Sequence, residues 1–302
     1  MKMSTRSTWL AAAVLSAAAP QAMAQQNITR RVNVAPDVTV EVSNVQGSVG
    51  ITAWDRNEVE LVAELESDKD ELEFEATERH VHIEVDRPDG RYGRHSDEQN
   101  ANLTLRVPKG ARLVAETVSA GITVSGVRGE QNLESVSGEV QTQAFDARVS
   151  AASVSGEVTV TGNGGKASVS TENVSGTATV TGVRGNYQGE VVSGEIRATV
   201  AGVESLEVSS VSGEIDVQAE LTPAARVEME TVSGTIALRI KPPVNADFDI
   251  ESFSGDIENC FGQKARDTSK YTPGSELVFT QGSGGARVEL QTLSGSISIC
   301  DR

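Results

Sequence analysis

The sequence predicts an all-β protein, a β-solenoid of about ten short coils that is interpreted as a right-handed β-helix. Two observations predict it: a Val-Ser-Gly tripeptide that recurs along the chain, and alternation of apolar and polar residues on both sides of it. The glycines of the tripeptide and its two close variants are Gly138, Gly156, Gly176, Gly194, Gly213, Gly234, Gly255 and Gly295. From Gly138 to Gly255 they lie 18, 20, 18, 19, 21 and 21 residues apart, a spacing typical of units that stack on their neighbours.

Each coil is predicted to hold at least two short strands. Apolar residues stand seven and five positions before the glycine, as in Leu206 and Val208, and two and four positions after it, as in Ile215 and Val217. Between these runs the alternation changes phase, so we expect a corner that the glycine helps to turn. The motif valines form another apolar column, and inward Val, Ile and Leu side chains are expected to build one continuous core. The motif serines should form a ladder along the corner.

The same columns extend toward the N-terminus. The segments 40–51 and 113–124 fit the pattern and bring the number of coil signatures to ten, with Ala120 in the glycine position of the second. An alanine there indicates a corner that is either mildly strained or less demanding than a tight turn.

A different segment, Trp54 to Pro108, separates these first two signatures. Four of its runs alternate in period two and predict a small antiparallel meander, inserted as an N-terminal cap over the open end of the solenoid; they are 58–66, 71–77, 80–87 and 102–107. The polar stretch 87–99 is expected to be a loop. The predicted organisation is therefore a signal peptide at 1–24, the first coil strands with the cap at 25–112, and solenoid repeats at 113–302 with an insertion at about 261–282.

The first residues predict export. Lys2 and Arg6 precede an apolar run at 9–19, and Ala22-Met23-Ala24 supplies a cleavage site, a pattern typical of a secretory signal peptide. We expect a periplasmic, secreted or cell-surface protein, because no later stretch is long and apolar enough for a transmembrane segment. Losing Lys2 and Arg6 changes the net charge from -17 to -19, which disfavours nucleic acid as a partner.

Two cysteines occupy the same column of the repeat. Cys260 and Cys300 each follow a motif glycine by five residues. If a single coil with an insertion separates them, their Cα atoms should lie about 4.8 Å apart, within reach of a disulfide. An extra full coil would double that distance to about 9.6 Å and forbid the bond. We favour the single coil and the disulfide, since the chain is predicted to reach an oxidising compartment.

The other candidate site residues are weak. His80 and His82 share one strand face and could hold a divalent metal, but a solvated face explains them equally well. A carboxylate column one residue after the glycine could bind cations or act as an acid and base pair, although a solvated ladder explains it more simply; its members are Glu139, Glu157, Glu195, Glu214 and Asp256. The repeats contain no histidine to activate a motif serine. No catalytic residue and no cofactor are predicted.

Several short motifs together resemble a known family. They are the segment Val42-Ser43-Asn44-Val45-Gln46-Gly47-Ser48-Val49, Trp54-Asp55, Leu105-Arg106-Val107-Pro108 and the serine-glycine coils. In this order they are similar to the bacterial "putative adhesin" family, a domain of unknown function, over nearly all the mature chain. The resemblance implies a secreted β-solenoid of the cell envelope and brings no catalytic residues.

The leading functional prediction is a non-enzymatic envelope protein that presents an elongated acidic surface for binding or scaffolding. Its partner would be an envelope protein or a glycan. The alternative is a carbohydrate-active β-helix enzyme acting on an anionic polysaccharide. Aromatic residues make up only 4% of the chain, which disfavours a sugar-binding groove. Convergence of Glu157, Glu195 and Glu214 in a cleft would favour the enzyme.

Overall fold

A computed structural model describes residues 26–67, 70–86, 100–268 and 274–301 of the chain. The predicted signal peptide and the predicted loop at 87–99 lie outside these residues. The described residues form strands without helices, as the all-β prediction requires. The strands are β1 (Gln26–Asn33), β2 (Thr39–Asn44), β3 (Gly47–Trp54), β4 (Glu58–Leu65), β5 (Glu71–Ala76), β6 (His80–Asp86), β7 (Ala101–Pro108), β8 (Arg112–Thr117), β9 (Gly121–Ser125), β10 (Gln131–Ser135), β11 (Val140–Ala144), β12 (Arg148–Ser153), β13 (Val158–Gly162), β14 (Lys166–Asn173), β15 (Thr177–Val191), β16 (Glu195–Ser210), β17 (Glu214–Ile240), β18 (Ala246–Ser254), β19 (Ile257–Asn259), β20 (Arg266–Asp267), β21 (Ser275–Gln281) and β22 (Ala286–Cys300).

The strands stack in two parallel columns joined by the motif corner. The first column holds the strands that lead into the motif, and the second holds the strands that leave it. A strand of the first column and the strand of the second column that follows it across the corner together form what we call a rung. The long strands β15, β16 and β17 contribute to both columns. Successive rungs are in register, so that Leu133 of β10 pairs with Ala115 of β8 on one side and with Ala151 of β12 on the other. Equivalent residues of the repeat therefore form continuous rows along the stack.

Alternation in each strand turns one row of side chains inward. In the rung formed by β10 and β11, Leu133 and Val140 are fully buried while Glu134 and Gln141 are exposed. The same inward rows of Val, Leu, Ile and Ala continue through the described rungs as a single core. Because each rung covers the apolar face of the next, the core grows by addition of repeats.

The N-terminal end differs from the predicted meander. Strands β6 and β7 lie parallel to β2 and β3, so they form a further rung. Only β5, β4 and β1 are antiparallel: β5 covers β6, β4 covers β7, and β1 pairs with the outer edge of β4. Alternation has the same period of two in parallel and antiparallel strands, and the sequence between β6 and β7 contains no Val-Ser-Gly tripeptide to mark this rung.

At the C-terminal end the order of rungs departs from the order of the sequence. The last strand, β22, lies between β17 and β18, parallel to both. The rung formed by β18 and β19 is therefore outermost, and the antiparallel strand β21 covers its first-column edge. Stacked rings of Phe248 and Phe279, 4.6 Å apart, fasten this covering strand to the rung.

Cys260 and Cys300 form a disulfide with a Cα–Cα distance of 4.9 Å. The two residues lie on adjacent rungs, as the single-coil interpretation predicted. The bridge joins the outermost rung, formed by β18 and β19, to β22. Although β22 is the last strand in the sequence, its rung lies directly inside the outermost one. The bridge therefore connects the two segments whose spatial order is exchanged.

A groove along the motif corner as candidate functional site

The motif corner is built on a row of buried polar side chains, three residues before the glycine. Seven of them are Thr117, Ser135, Ser153, Asn173, Ser210, Thr231 and Thr292. The hydroxyl of Ser153 accepts a hydrogen bond from the Gly156 amide at 2.9 Å and donates one to the Gly138 carbonyl of the neighbouring rung at 3.3 Å. At Ser135 and Ser153 this inner polar row thus closes the corner from inside. The hydroxyls of Ser210, Thr231 and Thr292 are buried in the same row without a hydrogen-bond partner. Sequence analysis missed it, although Ser, Thr or Asn stands in this column in nearly every repeat.

The motif glycines are needed for close approach between rungs. A Cβ atom on Gly156 would overlap the carbonyl oxygen of Gly138 on the neighbouring rung. Of the eight motif glycines only Gly255 has a positive φ, so the corner does not depend on left-handed backbone. Ala120 occupies the same position without positive φ. Of the two predicted alternatives, this agrees with a corner that does not require the left-handed backbone of a tight turn.

The motif valines do not belong to the core, although they form an apolar column in the sequence. Their row is about half exposed, from 37% at Val45 to 57% at Phe253. Because the preceding polar residue points inward, alternation turns the valine outward. Other members of this valine row are Val118, Val136, Val154, Val174, Val192, Val211, Val232 and Leu293.

Eight members of the valine row, all except Val45 and Val118, line a long groove with a volume of about 1160 Å³. The groove runs past nine rungs, from Thr117 to Ser252. Eight spacings of about 4.8 Å make it about 40 Å long. A row of outward residues four positions before the glycine lines it beside the valines. Six of the nine residues in that row are glutamates: Glu116, Glu134, Glu172, Glu190, Glu230 and Glu251.

The groove carries charge of one sign. Glu276, from the strand that covers the C-terminal end, adds a seventh carboxylate to the six of the glutamate row. No Lys, Arg or His occurs among the lining residues that the structure describes. Glu172 and Glu190 lie directly side by side on adjacent strands. Glu276 is within 4.0 Å of the Arg266 guanidinium, so the six glutamates of the row supply most of the negative charge. An exposed apolar strip beside this row can hold a ligand that is both apolar and positively charged.

The predicted site residues lie elsewhere. Glu157, Glu195 and Glu214 do not line the groove, and Glu195 forms an ion pair with Arg197. His80 and His82 lie at the N-terminal end, with ring nitrogens 3.5 and 3.6 Å from the same Glu41 carboxylate oxygen. Within the described ranges, no group of three His, Cys, Asp or Glu side chains is arranged to hold a metal ion.

Two ionisable groups outside the groove are perturbed. Hydrogen bonds from the Thr280 hydroxyl and the Gly285 amide hold the pKa of Asp247 below its usual value. Burial raises the pKa of Tyr187, whose hydroxyl lies 2.8 Å from that of Thr171 inside the core. Both groups stabilise the scaffold, one at the covered C-terminal end and one between two rungs.

Comparison with known protein families identifies the family of this chain. A family model described as Toastrack DUF4097 matches residues 38–300, which is most of the chain. The chain belongs to the Toastrack DUF4097 family. The family resemblance predicted from the serine-glycine coils is thereby confirmed. A comparison of the Toastrack sequence with curated proteins finds no match.

Solved structures match this Toastrack chain at low sequence identity. A "putative adhesin" from Bacteroides fragilis is 13% identical, with 92% of this chain and 98% of that one covered and a TM-score of 0.36. A "putative cell adhesion protein" from Clostridium sporogenes is 10% identical, with coverage of 92% and 100% and a TM-score of 0.27. A "Putative lipid binding protein" from Parabacteroides distasonis is 13% identical, with coverage of 90% and 96% and a TM-score of 0.33. In the part of the Toastrack chain that the structure describes, there is no helix able to span a membrane.

Proposed function

We propose that this Toastrack protein is a non-enzymatic binding protein of the cell envelope that holds an elongated partner along the corner groove. The observation that carries the proposal is the half-exposed valine row. Exposed apolar residues on protein surfaces are usually scattered singly, whereas here ten of them form one continuous strip. Such a strip is costly in water and gains free energy when a partner covers it.

The scaffold suits this role. We propose a right-handed winding, the hand that connections between parallel strands adopt, with the β6–β7 rung added to the ten predicted coils. In-register stacking makes the groove continuous and preformed, so a partner would bind without ordering the protein. We place the protein in the periplasm or at the cell surface, on the basis of its N-terminal leader pattern and its disulfide.

The polysaccharide-degrading alternative receives less support from the geometry. The glutamates of the groove stand in one row on the same face, rather than opposed across a cleft, and they are exposed. Acid and base catalysis on a sugar needs two carboxyl groups on opposite sides of the bond that is cleaved. Phe253 is the sole aromatic residue among the described lining residues, and the groove is acidic, which disfavours an anionic substrate.

Site-specific photo-cross-linking in intact cells tests the binding role. A photoreactive residue replaces Val174 in the groove, and a matched one replaces Gln141, an exposed residue on the outer face of the second column. We expect a discrete cross-linked species from position 174 that is absent from position 141. Equal labelling at the two positions, or none at 174, would contradict the groove as the binding site.

A further inference from the structure

We propose that the partner segment in the groove is a cationic amphipathic polypeptide, with a row of apolar side chains beside a row of lysines or arginines. The inference rests on the proposed binding function and specifies its ligand. It follows from the two parallel rows that line the groove, one apolar and one acidic.

Charge complementarity selects a cationic ligand. The six glutamates of the row line the groove without a basic side chain among the described lining residues, and the seventh, Glu276, pairs with Arg266 outside the lining. Like charges on adjacent rungs, such as Glu172 beside Glu190, repel one another at a separation of about 4.8 Å. A bound lysine or arginine relieves this repulsion, and this gain is specific to the bound state.

The valine row requires the same ligand to be apolar on one side. Val154, Val174 and Val192 lie on consecutive rungs with nearly equal exposure, 45%, 45% and 46%. They and their neighbours form a flat strip along the groove. Since the glutamate row runs alongside it, a chain that alternates apolar and basic residues can satisfy both rows at once.

The length of the groove indicates a polypeptide segment of moderate size. At about 3.4 Å per residue, an extended chain of about 12 residues spans the groove of about 40 Å. A helix would need about 27 residues for the same span, at about 1.5 Å per residue. Either is an ordinary length for a recognition segment, and main-chain conformation can be read from circular dichroism of the complex.

Other occupants fit less well. An anionic lipid, an acidic glycan or a nucleic acid would place negative charge against the glutamate row. A second copy of this chain, with a net charge of -17, would meet the same repulsion. A neutral acyl chain would cover the valines and leave the carboxylates unneutralised.

The test uses the mature chain and three labelled peptides of about 12 residues. One alternates valine and lysine, the second alternates valine and glutamate, and the third alternates serine and lysine. Fluorescence anisotropy measures their affinities. We expect the valine-lysine peptide to bind at least about tenfold more tightly than either of the others, because it alone complements both rows.

Two sets of variants locate the binding. The triple variant Glu134→Gln, Glu172→Gln, Glu190→Gln removes charge from the groove, and Glu139→Gln, Glu157→Gln, Glu214→Gln removes the same charge outside it. We expect the first to raise the Kd of the valine-lysine peptide about tenfold and the second less than about twofold. Equal effects would show general attraction to an acidic protein and overturn the inference, as would equal binding of the valine-lysine and valine-glutamate peptides.

The apolar row has its own matched pair. Val154→Ser, Val174→Ser, Val192→Ser should weaken binding of the valine-lysine peptide, whereas Val278→Ser, at an exposed valine outside the groove, should not. If cross-linking at position 174 succeeds but no peptide is preferred, the groove binds a ligand of another class, so the inference fails and the proposed function stands. If position 174 does not cross-link in cells, the proposed function fails whatever the peptides do.

Discussion

The amide of Gly138 donates a hydrogen bond of 2.8 Å to the hydroxyl of Ser135, across the corner that carries Val136. This bond closes the corner from inside, and it explains why the valine between the two residues points outward. Ser135 occupies the inward position that alternation would otherwise give to an apolar residue. The exposed valine row therefore follows from the inward position of the residue before each valine, which is polar in most rungs and is Val191 before Val192.

Replacing Ser135 by alanine should destabilise the protein by about 1–2 kcal/mol, because the Gly138 amide loses its buried acceptor. Urea unfolding followed by circular dichroism measures the change. Ser137→Ala is the control, since the Ser137 hydroxyl is exposed and its bond to the Val118 carbonyl is 3.2 Å long. It should cost no more than about 0.5 kcal/mol. Similar losses in the two variants would contradict the role assigned to the inner row.

Two threonines of the inner polar row should respond in opposite directions to replacement by valine. The Thr117 hydroxyl donates to the Ala120 carbonyl at 2.8 Å, whereas the Thr231 hydroxyl is buried without a hydrogen-bond partner. Thr117→Val should therefore cost about 1 kcal/mol, and Thr231→Val should be neutral or stabilising by about 1 kcal/mol. Thermal unfolding of the two variants measures the difference in stability. A loss of stability in Thr231→Val as large as that in Thr117→Val would show that the Thr231 hydroxyl has a hydrogen-bond partner in the folded protein.

Close stacking predicts a large effect at Gly156. An alanine there would overlap the Gly138 carbonyl, a backbone atom that can move only by displacing a rung, so Gly156→Ala should cost about 2–4 kcal/mol. Gly50→Ala is the matched control, because its added Cβ would meet nothing closer than the Leu103 carbonyl oxygen at 3.9 Å. We expect normal expression and an unchanged midpoint in urea for the control. A tolerated Gly156→Ala would refute the close-approach explanation.

The disulfide should stabilise the C-terminal end. Cys260 and Cys300 are separated by 40 residues, and closing a loop of that length in the unfolded chain corresponds to about 4 kcal/mol in the chain-entropy model. The double variant Cys260→Ser, Cys300→Ser should unfold at lower denaturant concentration by a corresponding amount. Reductant should destabilise the wild type and leave the double variant unchanged. Equal sensitivity of both to reductant would argue against the bond.

Asp247 should make the C-terminal end sensitive to acid. Its pKa is held low in the folded state by the bonds from Thr280 and Gly285, so the unfolded chain binds a proton more readily. The stability it supplies is present above the unfolded pKa of about 3.9 and is lost as the pH falls through the lower folded value. Asp247→Asn should therefore be less stable than wild type at neutral pH, and the difference should shrink below about pH 4. A difference independent of pH would show that the carboxylate charge is not involved.

Much of the scaffold could be predicted from the sequence by itself. Period-two alternation and the regular return of Ser-Gly identified the strands, their in-register stacking and the shared column of Cys260 and Cys300, because a repeat imposes the same local geometry on each unit. An antiparallel N-terminal cap was predicted, and β4 and β5 are antiparallel there. The parallel rung of β6 and β7, the antiparallel strand β21 and the exchanged position of β22 could not be predicted in this way. Strand pairing at an end depends on which edge is left uncovered, and alternation carries no information about direction or order.

The groove was decided by the tertiary structure alone. An apolar column such as Val136, Val154 and Val174 predicts burial when it is considered by itself, and only the inward turn of Ser135, Ser153 and Asn173 reverses that expectation. The glutamates that line the groove are likewise those four residues before the glycine. The carboxylate column one residue after the glycine, which the sequence made a candidate site, lies outside it. At a corner, the hydrogen bonds that close it decide whether a side chain points inward or outward. Those bonds form only once neighbouring rungs have stacked.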